Sequence, residues 1–124
     1  MVKPDIKSYK DLLVWQQAMD LAVLCYRITK GFPKEELFGL TSQIRRSSSS
    51  VAANVAEGHG RENSGSFVQF LRIAQGSLKE TETHLLLSSR VGLVKEIEVR
   101  DALLACEDIG RMLRSLIRSI QARQ

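Results

Sequence analysis

Asn54, Glu57 and Arg61 recur at i, i+3 and i+7, which places them on one face of a helix, and Glu80 falls where a following antiparallel helix returns past them. Two carboxylates brought together in a cleft, one with a displaced pKa, would be the acid–base pair of a hydrolase. The same four residues can instead form a hydrogen-bonded ladder that fixes helix register. That structural role is the expectation for Asn54, Glu57, Arg61 and Glu80, so Glu57→Ala should destabilise or misassemble the protein.

Metal chemistry needs closer spacing than the chain offers. Helical di-metal sites use Glu-x-x-His, yet Glu80 and His84 are four apart and Glu57 and His59 only two. Two histidines are also few for a closed site, and no metal or cofactor is expected. A helical ribonuclease pairing an Arg with a His four to six residues later fails as well, since Arg46 and Arg72 precede His59 and His84 by much longer intervals. Gly58-His59-Gly60 is too short to cradle a phosphate, and neither a P-loop nor a Ser-His-Asp arrangement is present. No catalytic residue is expected, and the chain is read as not an enzyme.

Phosphate attraction is the chemistry that charge placement favours. The chain carries 18 Lys and Arg against 14 Asp and Glu, and Arg111, Arg114, Arg118 and Arg123 account for the whole excess of +4. The first three stand at three- and four-residue steps, a basic stripe along a helix, and Arg123 extends it. Nucleic acid, RNA or DNA, is the partner such a stripe attracts without reading sequence. No aromatic residue interleaves with these arginines to stack bases.

The elements that must position these groups are helices. Ser8 and Asp11 form a capping box, after which Leu12, Trp15, Met19, Ala22 and Tyr26 mark an apolar stripe with Leu13 and Val23 widening it. Gly31-Phe32-Pro33 predicts a left-handed stop near Lys30, and Lys34 to Phe38 a single turn. The second helix spans Leu40 to Arg61, with Thr41 as its cap and small residues at Ser47 to Ser50, Ala52, Ala53 and Ala56. Ser47 and Ser48 fill the stripe between Ile44 and Val51, which predicts buried serines and a closely packed neighbour. The third helix, capped by Ser64 or Ser66, carries Phe67, Phe70, Leu71, Ala74, Leu78, Thr81, Leu85 and Ser88, and its Gly76-Ser77 pair is the expected close contact. After Gly92 the fourth runs from about Lys95 to Gln121 on Ile97, Leu103, Cys106, Ile109, Leu113, Ile117 and Ile120.

Short connections make consecutive helices antiparallel, so the expected fold is all-α, an up-down-up-down antiparallel four-helix bundle forming a single domain over residues 1–124. Composition agrees: 44% apolar and 26% charged residues suit a packed core rather than disorder. Cys25 and Cys106 fall on apolar faces and read as buried free thiols. Without a run of about 18 apolar residues or a basic-then-apolar start, no membrane contact is expected and the protein reads as cytoplasmic.

LTSQIRRSSSSVAANVAEGHGR and FVQFLRIAQGSLKETETHL resemble segments of the bacterial ribosomal RNA intervening-sequence proteins, a four-helix bundle family encoded within insertions in 23S rRNA genes or elsewhere on the chromosome. The most specific elements are AEGxGR, here Ala56 to Arg61, and FLRIAxGSLxE, here Phe70 to Glu80, and the similarity extends from about Tyr9 to Ile120. The resemblance implies a homopentameric ring. A related accessory protein of diversity-generating retroelements binds nucleic acid beside a reverse transcriptase, so a protein partner of that kind is implied where gene context supports it. The expectation is a non-enzymatic oligomer that binds RNA or DNA in a salt-sensitive, weakly specific way. The alternative is a structural or adaptor oligomer that docks a partner protein, which the surplus of apolar residues at Leu12, Leu13, Val14 and Trp15 supports.

Overall fold

The protein is described by a computed structural model over residues 6–123. Residues 1 to 7, which precede the Ser8 cap and read from sequence as an arm, lie outside these residues except for Ile6 and Lys7. Four helices follow one another: α1 (Leu13–Thr29), α2 (Leu40–Gly60), α3 (Ser64–Arg90) and α4 (Glu96–Ala122). Each packs on its neighbour in the chain and α4 closes back on α1, while among the described residues no helix touches the one diagonally opposite. This square arrangement is the antiparallel bundle that the short connections predict.

The ends of the helices follow local chemistry, with departures from expectation at four of them, the start of α2 included, where Thr41 does not cap. The Ser8 capping box forms: Ser8 Oγ accepts from the Lys10 amide at 3.2 Å, and Asp11 Oδ2 accepts from the Ser8 and Lys7 amides at 3.1 and 2.8 Å. Those backbone donors hold the Asp11 carboxyl below the ordinary carboxylate range. It caps a lone 3-10 turn, Tyr9–Asp11, because Leu12 is extended before α1 begins. Gly31 does not take a left-handed conformation; among the described glycines only Gly92 does, at φ 82°. There the Leu93 and Gly92 amides donate to the Ser88 and Ser89 carbonyls at 3.0 and 3.1 Å, a Schellman stop that needs a residue without Cβ. Asn63, rather than Ser64 or Ser66, caps α3, accepting from the Ser66 amide at 3.0 Å, and α2 is led by Gly39 without a side-chain cap.

The core runs through all four helices, with Leu21, Ile44, Val51, Leu71, Leu78, Leu85, Ile109 and Leu113 fully enclosed. Ser47 and Ser48 are buried as their place in the α2 stripe predicts. On α1 the buried set is Val14, Ala18, Leu21, Ala22 and Cys25, so Trp15, Met19, Val23 and Tyr26 are displaced to the flank above α2. On α4 the expected core position Ile97 is 64% exposed, and Val99 and Ala102 take its place. Both errors come from apolar residues on two sides of one helix, where spacing alone does not choose the side. Burial pushes the thiols of Cys25 and Cys106 up to about 11 and about 12.

The tightest helix contact is not at Gly76. A methyl group at Gly58 would lie 2.6 Å from Phe70 Cβ and 3.3 Å from the Phe67 carbonyl, whereas one at Gly76 would meet nothing within 4 Å. Of the two glycines, Gly58 is thus the one that sits against the facing helix. Gly76 points outward while its neighbour Ser77 is buried against α2.

Candidate nucleic-acid interface

The last turns of α4 carry Arg111, Arg114 and Arg118 on exposed positions, and Arg123 follows as the residue that ends the helix. Arg111 is engaged by Asp108 one turn earlier. Beyond Asp108 the chain has no acidic residue, and among the described residues Arg114, Arg118 and Arg123 have no carboxylate partner. Arg118 Nε donates to the Arg114 carbonyl at 3.5 Å, which lays its side chain back along the helix. Arg123 reaches the end of the bundle and, with His59, Glu62, Ser64 and Ser119, lines a cleft beside the start of α3, without an ion pair to Glu62. Cations at a helix C-terminus also complement the macrodipole, so the sequence can keep them there at little cost in stability.

The second set of singled-out residues does not form one network. Asn54 Nδ2 donates to the Ser50 carbonyl at 2.8 Å and to Ser50 Oγ at 2.9 Å, and Ser50 Oγ lies 2.9 Å from Ser77 Oγ on α3. Glu57 and Arg61 pair with each other at 3.4 Å on the surface, where Arg61 also covers the Phe70 ring at 5.1 Å. Glu80 meets neither Glu57 nor Arg61: its partners are Arg46 of α2 and, at 3.5 Å, His84 Nε2. The expected four-residue ladder is therefore corrected to three separate contacts. The error is one of register, since Glu80 passes α2 in its N-terminal half and not near its C-terminal end.

Between these contacts the α2–α3 seam is joined by hydroxyls. Thr81 Oγ1 donates to the Ser77 carbonyl at 2.9 Å and lies 2.9 Å from Ser47 Oγ. Such pairing explains why serines occupy the buried side of α2: each is small enough for close approach, and its hydroxyl is answered. Partial burial, followed by the charge of Arg46, pushes the His84 pKa below its ordinary 6.5. Its Nδ1 is buried without a hydrogen-bond partner.

Sequence spacing also missed a cation on the opposite flank. Arg45 stands over the Tyr26 ring at 4.5 Å and its Nε donates to Thr29 Oγ1 at 2.9 Å, tying α2 to the end of α1. The signal available was Tyr26 and Thr29 three apart on α1, but their partner in α2 depends on tertiary register. Among the described residues no three of His, Cys, Asp and Glu gather as metal ligands would, and no helix is long and apolar enough to cross a membrane.

Comparisons with known proteins converge on one family. No curated protein matches the chain. A crystal structure described as a protein with unknown function from the S23 ribosomal protein family of Bacteroides thetaiotaomicron superposes with a TM-score of 0.76 at 25% identity, covering 85% of this chain and 98% of that one. The profile of the family described as 23S rRNA-intervening sequence protein matches residues 10–115. With that match spanning most of the bundle, the chain belongs to the 23S rRNA-intervening sequence protein family.

Proposed function

We propose that this chain is a non-enzymatic oligomer, a homopentamer as its resemblance implies, that binds RNA or DNA in the cytoplasm through phosphate contacts and without strong sequence preference. The observation that carries this reading is the acid-free end of α4, where Arg114, Arg118 and Arg123 are exposed with no carboxylate partner among the described residues. Exposed guanidinium groups that no carboxylate neutralises attract phosphate through charge and hydrogen bonding together. Repetition of the stripe around an oligomer multiplies the field, while the lack of stacking aromatics beside it keeps recognition weakly specific.

Filter binding of RNA and DNA across a salt series tests the reading. Retention at low salt that falls steeply as salt rises supports it; no retention at low salt, or retention indifferent to salt, overturns it. A second reading, an adaptor that docks a protein such as a reverse transcriptase, draws on the open apolar flank of Trp15, Met19, Val23 and Tyr26. Replacement of Arg114 and Arg118 by Glu separates the two, because an adaptor keeps its partner when the stripe is reversed.

A further inference from the structure

Among the apolar surfaces open on the described residues, two differ in charge. One is a groove of about 690 Å³ between α1 and α2, walled by Trp15, Met19, Val23 and Tyr26 and floored by alanines of α2. Every charged residue lining it is a cation: Arg27, Lys30 and Arg45. The other lies on α4, the helix diagonal to α2, where Ile97, Leu103 and Leu104 border a depression of about 530 Å³. Glu96 and Glu107 flank these side chains, with Arg100 as the single cation. Ile97 and Leu104 stand well clear of the bundle, at 64% and 51% exposure.

Neither surface suits a copy of itself. A two-fold contact of groove on groove would oppose three cations to three cations, and ridge on ridge would bring carboxylates together. The groove and the exposed Ile97 and Leu104 side chains of α4 complement each other in apolar character and in charge. We propose that a second copy of this chain seats its α4 ridge, Ile97 to Leu104, in the α1–α2 groove, head to tail, so that each subunit offers its groove to one neighbour and its ridge to another. The ridge acids then lie against Arg27, Lys30 and Arg45. A contact of this polarity closes into a ring when its rotation permits and otherwise extends as a filament. It rests on the oligomer of the proposed function and assigns the faces that meet. It also ties assembly to the basic stripe: Ile97, Leu104, Arg111 and Arg118 recur every seven residues, so the arginines continue the same side of α4 beyond the joint.

Two substitutions on exposed positions test the polarity, Val23→Asp in the groove and Leu104→Asp on the ridge, with helix content and thermal melts confirming that both fold. Mass in solution by light scattering is the readout. Wild type is expected as an oligomer and each variant alone as a monomer. An equimolar mixture is expected as a 1:1 heterodimer, because it contains one intact ridge and one intact groove and cannot extend further. An assembled wild type with either variant also fully assembled overturns the head-to-tail contact, as does a mixture in which the variants stay apart. A monomeric wild type overturns the oligomer itself, and the contact falls with it. An oligomer that retains no RNA or DNA overturns only the nucleic-acid reading.

Discussion

Along the α2–α3 seam, Ser50 and Ser77, and likewise Ser47 and Thr81, place their hydroxyl oxygens 2.9 Å apart, whereas the guanidinium groups of Arg114, Arg118 and Arg123 at the end of α4 meet no carboxylate among the described residues. Both regions are rich in polar side chains, yet only the first answers its hydroxyls internally. In the seam, small polar residues serve packing: a short side chain lets two helices approach, and its hydroxyl finds a partner on the facing helix or on its own backbone. On α4, long charged residues stay in water and keep their donors available. Polarity alone marks neither a site nor a scaffold; internal satisfaction separates the two.

The largest expected effect breaks the α4 side of this comparison. Reversal of Arg114 and Arg118 to Glu should weaken retention of RNA or DNA by at least about tenfold at low salt and flatten the salt dependence, each arginine accounting for about one unit of the log–log slope. The melting midpoint should stay close to wild type, since both positions are exposed. On the seam side, Gly58→Ala should cost about 2 kcal/mol despite alanine's better helix propensity, because its methyl group would meet Phe70 at 2.6 Å. Denaturant titration measures this loss. Thr81→Val keeps the shape of a fully buried side chain but leaves Ser47 without its hydroxyl neighbour, and a loss of about 1 kcal/mol in the same titration is expected. Gly76→Ala sharpens the contrast with Gly58: with no atom within 4 Å of the new methyl group, it should stabilise the protein by about 0.5 to 1 kcal/mol. Smallest is Glu57→Ala, now expected to shift stability by less than about 0.5 kcal/mol, because the Glu57–Arg61 pair is exposed on both sides.

Much of the fold is legible from periodicity and punctuation. Gly92 and Pro33 mark real stops, Ser8 and Asp11 build a real cap, and the stripe through Ile44, Ser47, Ser48 and Val51 is buried where its spacing puts it. These features are local, so three or four residues suffice to specify them. What was not legible depends on how one helix slides past another. Arg46 and Arg61 are equally plausible partners for Glu80 until register is known, and Gly58 and Gly76 are both helical glycines until the interhelical distance at each is known. The apolar flank of α1 was misplaced for a related reason. Trp15, Met19 and Tyr26 are large enough to suggest core, but the bundle takes Ala18, Leu21 and Cys25 inward, leaves Met19 and Tyr26 exposed and packs Trp15 only partly against the core. The arginine stripe was legible as a pattern, and the structure adds that Arg111 is already engaged by Asp108.

The burial of both cysteines gives the protein a built-in clock. A thiol raised to about 11 or about 12 and enclosed by the core presents almost no thiolate to reagents at neutral pH, so alkylation waits for the bundle to open. The rate at which Cys25 and Cys106 are modified in the native protein therefore counts opening events between α1 and α4. A cysteine introduced at an exposed position such as Thr83 would be modified on a far shorter timescale, and a dye could be attached there without removing either native thiol.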